Sequence, residues 1–103
     1  MLFGCPFVNL GRLMLKHYNI HIIGKVQGVF FRSSAKERAI DLGLKGFVRN
    51  EVDGSVYVEA EGEESVLKEF VRWCEDGSPA AKVESVRVQE SKMKDHNSFE
   101  ISY

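Results

Sequence analysis

A change of hydrophobic period, from alternation to helical spacing and back, limits the fold of this chain more than any other feature of its sequence. Apolar residues alternate over 16–23, as in a half-buried strand, and then recur every three or four positions from Phe31 to Leu42, as in a helix that ends near Gly43. The same change occurs again further along. The predicted order is a strand at 16–23, a helix from Phe31, strands at 45–50 and 55–61, a helix at 63–75, a strand with Val86 and Val88 inward, and a short last strand with Phe99, Ile101 and Tyr103.

This order of elements predicts two layers, a sheet and a pair of helices. Asp53-Gly54 between two strand-like runs predicts a hairpin. Because the strands alternate apolar and polar residues, we expect one sheet face to be covered and the other, with Tyr57, Glu59 and Glu61, to be largely solvated. Both helices then pack on the covered face. The expected fold class is α+β, a ferredoxin-like two-layer sandwich with a mostly antiparallel sheet, βαββαβ plus a short C-terminal strand.

Length and charge exclude several classes of protein. The chain has 103 residues, enough for one domain, and 14 Lys and Arg are balanced by 15 Asp and Glu. No basic face for nucleic acid is expected from this balance. The apolar start of the chain is interrupted by Asn9, Gly11 and Arg12, which argues against a signal peptide, and no stretch is long enough to span a membrane. We expect an N-terminal appendage at 1–13, a domain at 14–103, a cytoplasmic location and a monomer.

The two cysteines, Cys5 and Cys74, lack the paired spacing of a zinc site or of a disulfide framework. Cys74 lies among apolar neighbours at helical spacing, together with Phe70 and Trp73. We expect free thiols, with Cys74 in the core. Phe70, Trp73 and Phe47 are likewise expected in the core rather than at a ligand site.

An anion site is the most specific chemistry that local sequence suggests. Residues 24–32 read Gly-Lys-Val-Gln-Gly-Val-Phe-Phe-Arg and lead from the first strand into the first helix. Successive N–H groups in such a loop, with the free donors of the first helical turn, form a concave anion site, and Gly24 and Gly28 allow close approach of the main chain. Arg32 can place two hydrogen bonds on phosphate oxygens. The same pattern also fits an ordinary loop with a solvated arginine, and it lacks the Gly-Lys-Ser/Thr end of a P-loop.

The segment 24–32 resembles the signature loop of the acylphosphatase family nearly residue for residue. A second family signature is matched by Gly-Phe-Val-Arg-Asn at 46–50, followed by Asp53-Gly54. Residues 78–83, Ser-Pro-Ala-Ala-Lys-Val, and 99–103, Phe-Glu-Ile-Ser-Tyr, are also similar to the family pattern. The chain is therefore identified as a member of this family on several motifs in the right order.

The resemblance implies hydrolysis of acyl phosphates to carboxylate and inorganic phosphate, with no cofactor and no metal. The predicted catalytic residues are Arg32, as the cationic clamp on the phosphate, and Asn50, which would hold the attacking water in line with phosphorus. An amide orients a water through a donor and an acceptor but does not take its proton near neutral pH, so a phosphate oxygen is the expected acceptor. The residues implied to bind substrate, chiefly through main-chain N–H groups, are Gln27, Gly28, Val29, Phe30, Phe31 and Arg32.

Several side chains near these motifs have alternative roles. For Phe30, the alternative to a core position is the rim of the pocket, where its ring would contact the acyl group. Ser33 and Ser34 could add a hydrogen bond to phosphate, but no adjacent base makes them nucleophiles, and helix capping or exposure is the alternative. His17 and His21 alternate outward on the first strand, and we expect them to be solvated rather than metal ligands, since no local carboxylate completes a site.

Two other classes of function compete with an enzyme. A nucleic-acid module on this architecture would stack bases on exposed aromatic residues, but Tyr57 is flanked by Glu59 and Glu61, which repel phosphate. A non-catalytic anion- or ligand-binding ferredoxin-like module is the second alternative. The presence of both Arg32 and Asn50 argues against it. The expected partner is a small-molecule acyl phosphate, with no nucleic acid and no membrane.

Overall fold

The computed structural model describes residues 15–102, and its helices and strands follow one another in the predicted order. Their ends lie close to the predicted ones. The predicted appendage at 1–13 and the last residue of the predicted C-terminal strand, Tyr103, lie outside the described residues. The elements are β1 (Leu15–Lys25), α1 (Phe31–Asp41), β2 (Lys45–Asn50), β3 (Val56–Glu63), α2 (Glu64–Asp76), β4 (Lys82–Ser91) and β5 (Phe99–Ile101).

The five strands form one sheet in the order β4-β1-β3-β2-β5. β1 pairs antiparallel with β3 and with β4, and β2 pairs antiparallel with β3. Among the strands of residues 15–102, only β5 runs parallel to a neighbour, with Val48 of β2 opposite Ile101. This topology confirms the predicted ferredoxin-like α+β sandwich, and it places the ends of β1 and β2 and the strand β5 around one end of the sheet.

The hydrophobic core lies between the sheet and both helices, as predicted. α1 buries Phe31, Ala35 and Ala39, and α2 buries Leu67, Phe70 and Cys74. Opposite them the sheet contributes buried β-branched residues, and burial of one such side chain contributes about 1.5–3 kcal/mol. These sheet residues are Ile20, Ile22, Val48, Val56 and Val58.

Cys74 is a free, buried thiol, as predicted, and burial raises its pKa above its ordinary value. The thiol is therefore protonated and poorly reactive at neutral pH. Cys5 lies outside the described residues. Within residues 15–102, neither helix has the length and apolar content that crossing a bilayer requires.

Turn residues end the elements where the sequence predicts. α1 is followed by Gly43, whose N–H donates to the Ile40 carbonyl at 3.0 Å. In the hairpin between β2 and β3, Asp53 accepts a hydrogen bond from the backbone N–H of Ser55 at 2.9 Å. The hydroxyl and the backbone N–H of Ser55 hold the pKa of Asp53 below its ordinary value. The predicted hairpin is thus present, and it fixes the chain directly after Asn50.

The sheet face opposite the helices differs from the prediction, because part of it is covered. His17, Glu59 and Glu61 are all buried on this face. The chain between β4 and β5, residues 92–98, covers them, since backbone N–H groups of this segment donate to the carboxylate of Glu61. The expectation of a largely solvated face is therefore wrong for these residues, whose cover comes from a segment distant in sequence.

Two apolar residues also lie elsewhere than predicted. Phe47 belongs to the face opposite the helices, where its ring contacts those of Tyr57 and His96, with centroids 6.1 and 5.9 Å away. It is opposite Glu59 in the register of β2 and β3 and so points away from the core. Val86 packs against the core as predicted, but Val88 is 44% exposed because β4 is an edge strand with incomplete cover.

Candidate active site

A pocket of about 320 Å³ opens where β1 passes into α1. Arg32 and Asn50, which are 18 positions apart in the sequence, both line it. Arg32 is the second residue of α1, and Asn50 is the last residue of β2. The fold therefore brings the two predicted catalytic residues to one cavity. The full lining is Val26, Gly28, Phe30, Phe31, Arg32, Ser33, Asn50 and Ile101.

The first turn of α1 borders this pocket, since Phe31, Arg32 and Ser33 all line it. Its first intrahelical hydrogen bond runs from the Ser34 N–H to the Phe30 carbonyl at 3.1 Å. The backbone N–H groups at the start of a helix precede this bond and point outward from the helix end. Phe30, at the N-cap, gives no side-chain cap, and the first turn contains no acidic residue. The positive end of the helix dipole is thus left available to an anion.

Two side-chain bridges hold the loop before α1 in place. Gln27 Nε2 donates to the carbonyls of Glu51 and Ser55 at 2.7 and 2.9 Å, which ties the loop to the β2–β3 hairpin. Ser78 Oγ donates to the Val29 carbonyl at 2.8 Å, which ties it to the connection after α2. The Gln27 side chain and the Val29 carbonyl thus brace the loop, and the predicted contacts of the main-chain N–H groups of these residues with substrate stay a prediction. Ser78 belongs to the motif segment 78–83, but its contact with Val29 joins residues 49 positions apart and does not follow from the local sequence.

The side-chain amide of Asn50 has an oxygen that accepts no hydrogen bond from the described residues. Its Oδ1 atom is buried, and no group within residues 15–102 donates a hydrogen bond to it. A buried polar atom left in this state costs about 1–3 kcal/mol. Asn50 as a residue lines the pocket, and its amide carries both a donor and an acceptor with which to orient a bound water.

Ser33 and Ser34 separate in the structure. Ser33 lines the pocket, and its hydroxyl donates to the Phe30 carbonyl at 3.2 Å. Ser34 does not line it and instead faces a groove beside Trp73 and Ser78. Of the two serines, Ser33 is therefore the one placed to reach a bound anion.

Gly24 has a role different from the one predicted. A Cβ atom at this position would lie 2.2 Å from the carbonyl oxygen of Lys82 on β4, and the backbone φ is +142°. Gly24 is thus needed for the close approach of β1 and β4 at a bulge, where the register shifts after Ile23. Gly28, with a φ of +73° and open space around it, does lie at the pocket.

The prediction that His17 and His21 are solvated is wrong. His17 is fully buried, with Nδ1 2.7 Å from Glu61 Oε2 and Nε2 3.0 Å from both Glu59 Oε1 and Asn19 Oδ1. The two carboxylates, when ionised, and the Asn19 side-chain oxygen are all hydrogen-bond acceptors. His21 is half-buried, and its Nε2 lies 2.7 Å from the hydroxyl of Ser55.

One group of side chains has the composition of a metal site. Ligand atoms of His17, Glu61 and His96 all lie within 4.8 Å of one another. The oxygens of Glu61, however, already accept hydrogen bonds from His17 and from the backbone N–H groups of Lys94, Asp95 and His96. The carboxylate is thus saturated with donors, and its hydrogen bonds fasten residues 92–98 to the sheet.

Comparison with known proteins agrees with this geometry. The Acylphosphatase family model matches residues 18–101. An acylphosphatase of Rubrobacter xylanophilus is 51% identical over 75 residues, covering 73% of this chain and 68% of the relative. One of a Synechococcus strain is 43% identical over 98 residues, covering 95% and 78%. The crystal structure of acylphosphatase from Bacillus subtilis matches with a TM-score of 0.84 and 42% identity, over 87% of this chain and 100% of that one. The chain belongs to the acylphosphatase family.

Proposed function

We propose that this protein hydrolyses acyl phosphates to a carboxylate and inorganic phosphate, without a metal ion. One observation carries the proposal: Arg32 with the first turn of α1, and Asn50 at the end of β2, line the same pocket. The first suits a bound phosphate, and the second suits a bound water. The family named in the comparisons supports the same activity.

The phosphate would be held by the main chain of residues 27–32 and by Arg32. The N–H groups of the first turn and the helix dipole favour a dianion, and the guanidinium adds a fixed positive charge with paired donors. The protein as a whole has a formal net charge of −1, so attraction of the substrate depends on these local donors. Gln27 and Ser78 keep the loop in this conformation before the substrate arrives.

Asn50 would orient the attacking water. The water oxygen forms a bond to phosphorus as the bond between phosphorus and the acyl oxygen breaks, and the acyl group leaves as a carboxylate. The water proton passes to a phosphate oxygen. Positioning of a nucleophile supplies about 7–11 kcal/mol in favourable cases, and each aimed donor on the order of 2.7–4 kcal/mol. Because a carboxylate is a good leaving group, such a sparse site suffices.

We further propose that the substrate is a small-molecule acyl phosphate and that the protein acts as a cytoplasmic monomer. The pocket is the size of a small-ligand site, and the unpaired Cys74 suits a reducing compartment. Sedimentation equilibrium at micromolar concentration would test the monomer, since a dimer would double the measured mass.

The test of the catalytic proposal is release of phosphate from benzoyl phosphate in excess chelator. We expect turnover by the wild type and losses of about 100-fold or more in kcat/KM for Arg32→Ala and for Asn50→Ala. Matched controls are Arg72→Ala on the exposed side of α2 and Asn97→Ala in the exposed 92–98 segment, both expected to keep wild-type activity. Circular dichroism confirms the fold of each variant.

The outcomes separate the enzyme from the non-catalytic module. Binding of phosphate without turnover by the wild type would favour an anion-binding module. Wild-type activity of Asn50→Ala would overturn the role of Asn50 in placing water. Loss of activity on addition of chelator, with recovery on adding back a divalent metal, would overturn the metal-independent mechanism.

A further inference from the structure

Phe30 has a backbone conformation that bulky residues rarely adopt. Its φ and ψ are 61° and 24°, in the left-handed region. Within residues 15–102, the other non-glycine residue with a positive φ is Asp95, a residue type that tolerates this region. Glycine would take the conformation without steric cost. The phenylalanine at this position therefore introduces strain, and strain of this kind is concentrated at functional sites.

The ring of Phe30 does not offset that strain by packing in the core. The side chain is 82% exposed, whereas that of its neighbour Phe31 is 1% exposed. Phe31 packs against Trp73, with ring centroids 5.3 Å apart. Two adjacent phenylalanines thus have opposite environments, and only the second one contributes to the core.

The location of the exposed ring indicates what it contacts. Phe30 lines the pocket, together with the half-buried Ile101 from β5. In the proposed mechanism, Arg32 and the first turn of α1 bind the phosphate, and Asn50 binds the water. The apolar surfaces of Phe30 and Ile101 are left for the acyl group.

We propose that Phe30 determines substrate specificity, as an apolar lip that favours acyl phosphates with an aromatic or large apolar acyl group over acetyl or carbamoyl phosphate. This inference rests on the proposed function and adds the substrate class to it. A ring so exposed has apolar surface to bury against a substrate of matching shape. Burial of some tens of Å² corresponds to a factor of about five to ten in kcat/KM.

The experiment compares benzoyl phosphate with acetyl phosphate. Phe30→Asn removes the ring and keeps a residue that tolerates the left-handed backbone. We expect the ratio of kcat/KM for benzoyl over acetyl phosphate to fall about five- to tenfold in Phe30→Asn and to be retained in Phe30→Tyr. The control is Ile40→Asn, at an exposed apolar position of α1 outside the pocket, where the ratio is expected to stay unchanged.

A second readout does not depend on turnover. Calorimetry measures the Kd values of benzoylphosphonate and acetylphosphonate, two analogues that are not hydrolysed, and the same fall in selectivity is expected in Phe30→Asn. An unchanged ratio in both measurements would overturn the inference and leave the proposed function intact. An inert wild type that still binds benzoylphosphonate selectively would overturn the proposed function alone.

Discussion

At the scale of single residues, Gly24 shows how strongly one position can depend on the absence of a side chain. A methyl group there would lie 2.2 Å from the Lys82 carbonyl oxygen and 2.7 Å from the Glu84 nitrogen, both backbone atoms of β4. We expect Gly24→Ala to lower the free energy of unfolding by about 3 kcal/mol or more, because the strands must separate and the backbone conformation is strained. Urea unfolding measures this change.

The control for Gly24→Ala is Gly43→Ala. Gly43 also has a positive φ, +73°, but open space surrounds its missing Cβ. Its substitution is expected to cost only the backbone strain, about 1–2 kcal/mol. Equal losses at the two positions would show that β4 moves away at little cost.

Gln27 is a positioning residue, since its amide joins the loop to the hairpin that follows Asn50. We expect kcat to fall about tenfold in Gln27→Ala, because the loop and Asn50 lose their common support. Gln27→Glu should be worse, since a carboxylate cannot donate to the carbonyls of Glu51 and Ser55. Steady-state kinetics at saturating benzoyl phosphate measures kcat for wild type, Gln27→Ala and Gln27→Glu, which is expected to fall in that order. The control is Gln89→Ala, at an exposed position of β4, which is expected to keep the wild-type kcat. Equal activity of Gln27→Glu and wild type would contradict the bracing role.

At the scale of elements, the segment 92–98 depends on one carboxylate. Burial by itself raises the pKa of Glu61, but hydrogen bonds from the Lys94 backbone N–H, from His17 and from the His96 backbone N–H outweigh it and lower the pKa from 4.5 to about 2. Lys94 Nζ and His17 Nε2 also lie 3.1 and 3.0 Å from Oε1 of the neighbouring Glu59. The segment is therefore fixed most firmly when Glu61 is ionised.

This cluster predicts a loss of stability in acid. Because the folded pKa of Glu61 lies below its ordinary value, the unfolded chain binds more protons between these two values. The contribution of Glu61 is fully present above about pH 4.5 and is lost as the pH falls toward about 2, on the order of 3 kcal/mol in total. Urea unfolding between pH 2 and 6 measures this slope. Glu61→Gln should flatten it, whereas Glu63→Gln at the exposed end of β3 should not, and parallel curves for wild type and Glu61→Gln would refute the assignment.

The same cluster shows where sequence reasoning about elements stops. The periods that predict β1 and α1 are local, so their order and approximate ends follow from neighbouring residues. The alternation of β1 also assigns His17 correctly to the face away from the helices. Whether that face is solvated depends on residues 92–98, whose contact with Glu61 spans more than 30 positions of sequence. Local pattern carries no information on such a contact.

At the scale of the whole molecule, the topology brings together the two residues that the motifs single out as catalytic, while their roles stay predictions. Arg32 and Asn50 follow from motif resemblance, and the sheet order explains their meeting, since β1 and β2 flank β3 and end at the pocket. The hydrogen bond from Ser78 to Val29 could not be predicted, because it joins residues 49 positions apart. The strained backbone of Phe30 could not be predicted either, because local sequence does not give its φ and ψ angles.

Since the site is built from several elements, occupation by phosphate should stabilise the entire fold. A ligand that binds only the native state at ten times its Kd adds about 1.4 kcal/mol to the free energy of unfolding, which raises the thermal midpoint of a domain this size by several degrees. We expect inorganic phosphate in excess chelator to raise the midpoint of wild type and of the control Arg72→Ala.

The variants separate the two proposed roles in this measurement. Asn50→Ala should keep the phosphate-dependent rise, because Asn50 places water and leaves the anion contacts intact. Arg32→Ala should lose most of it, while sodium chloride at equal ionic strength should have little effect on any of the proteins. A rise that survives in Arg32→Ala would move the phosphate site away from this pocket. Loss of the rise in Asn50→Ala would instead give Asn50 a direct contact with the phosphate.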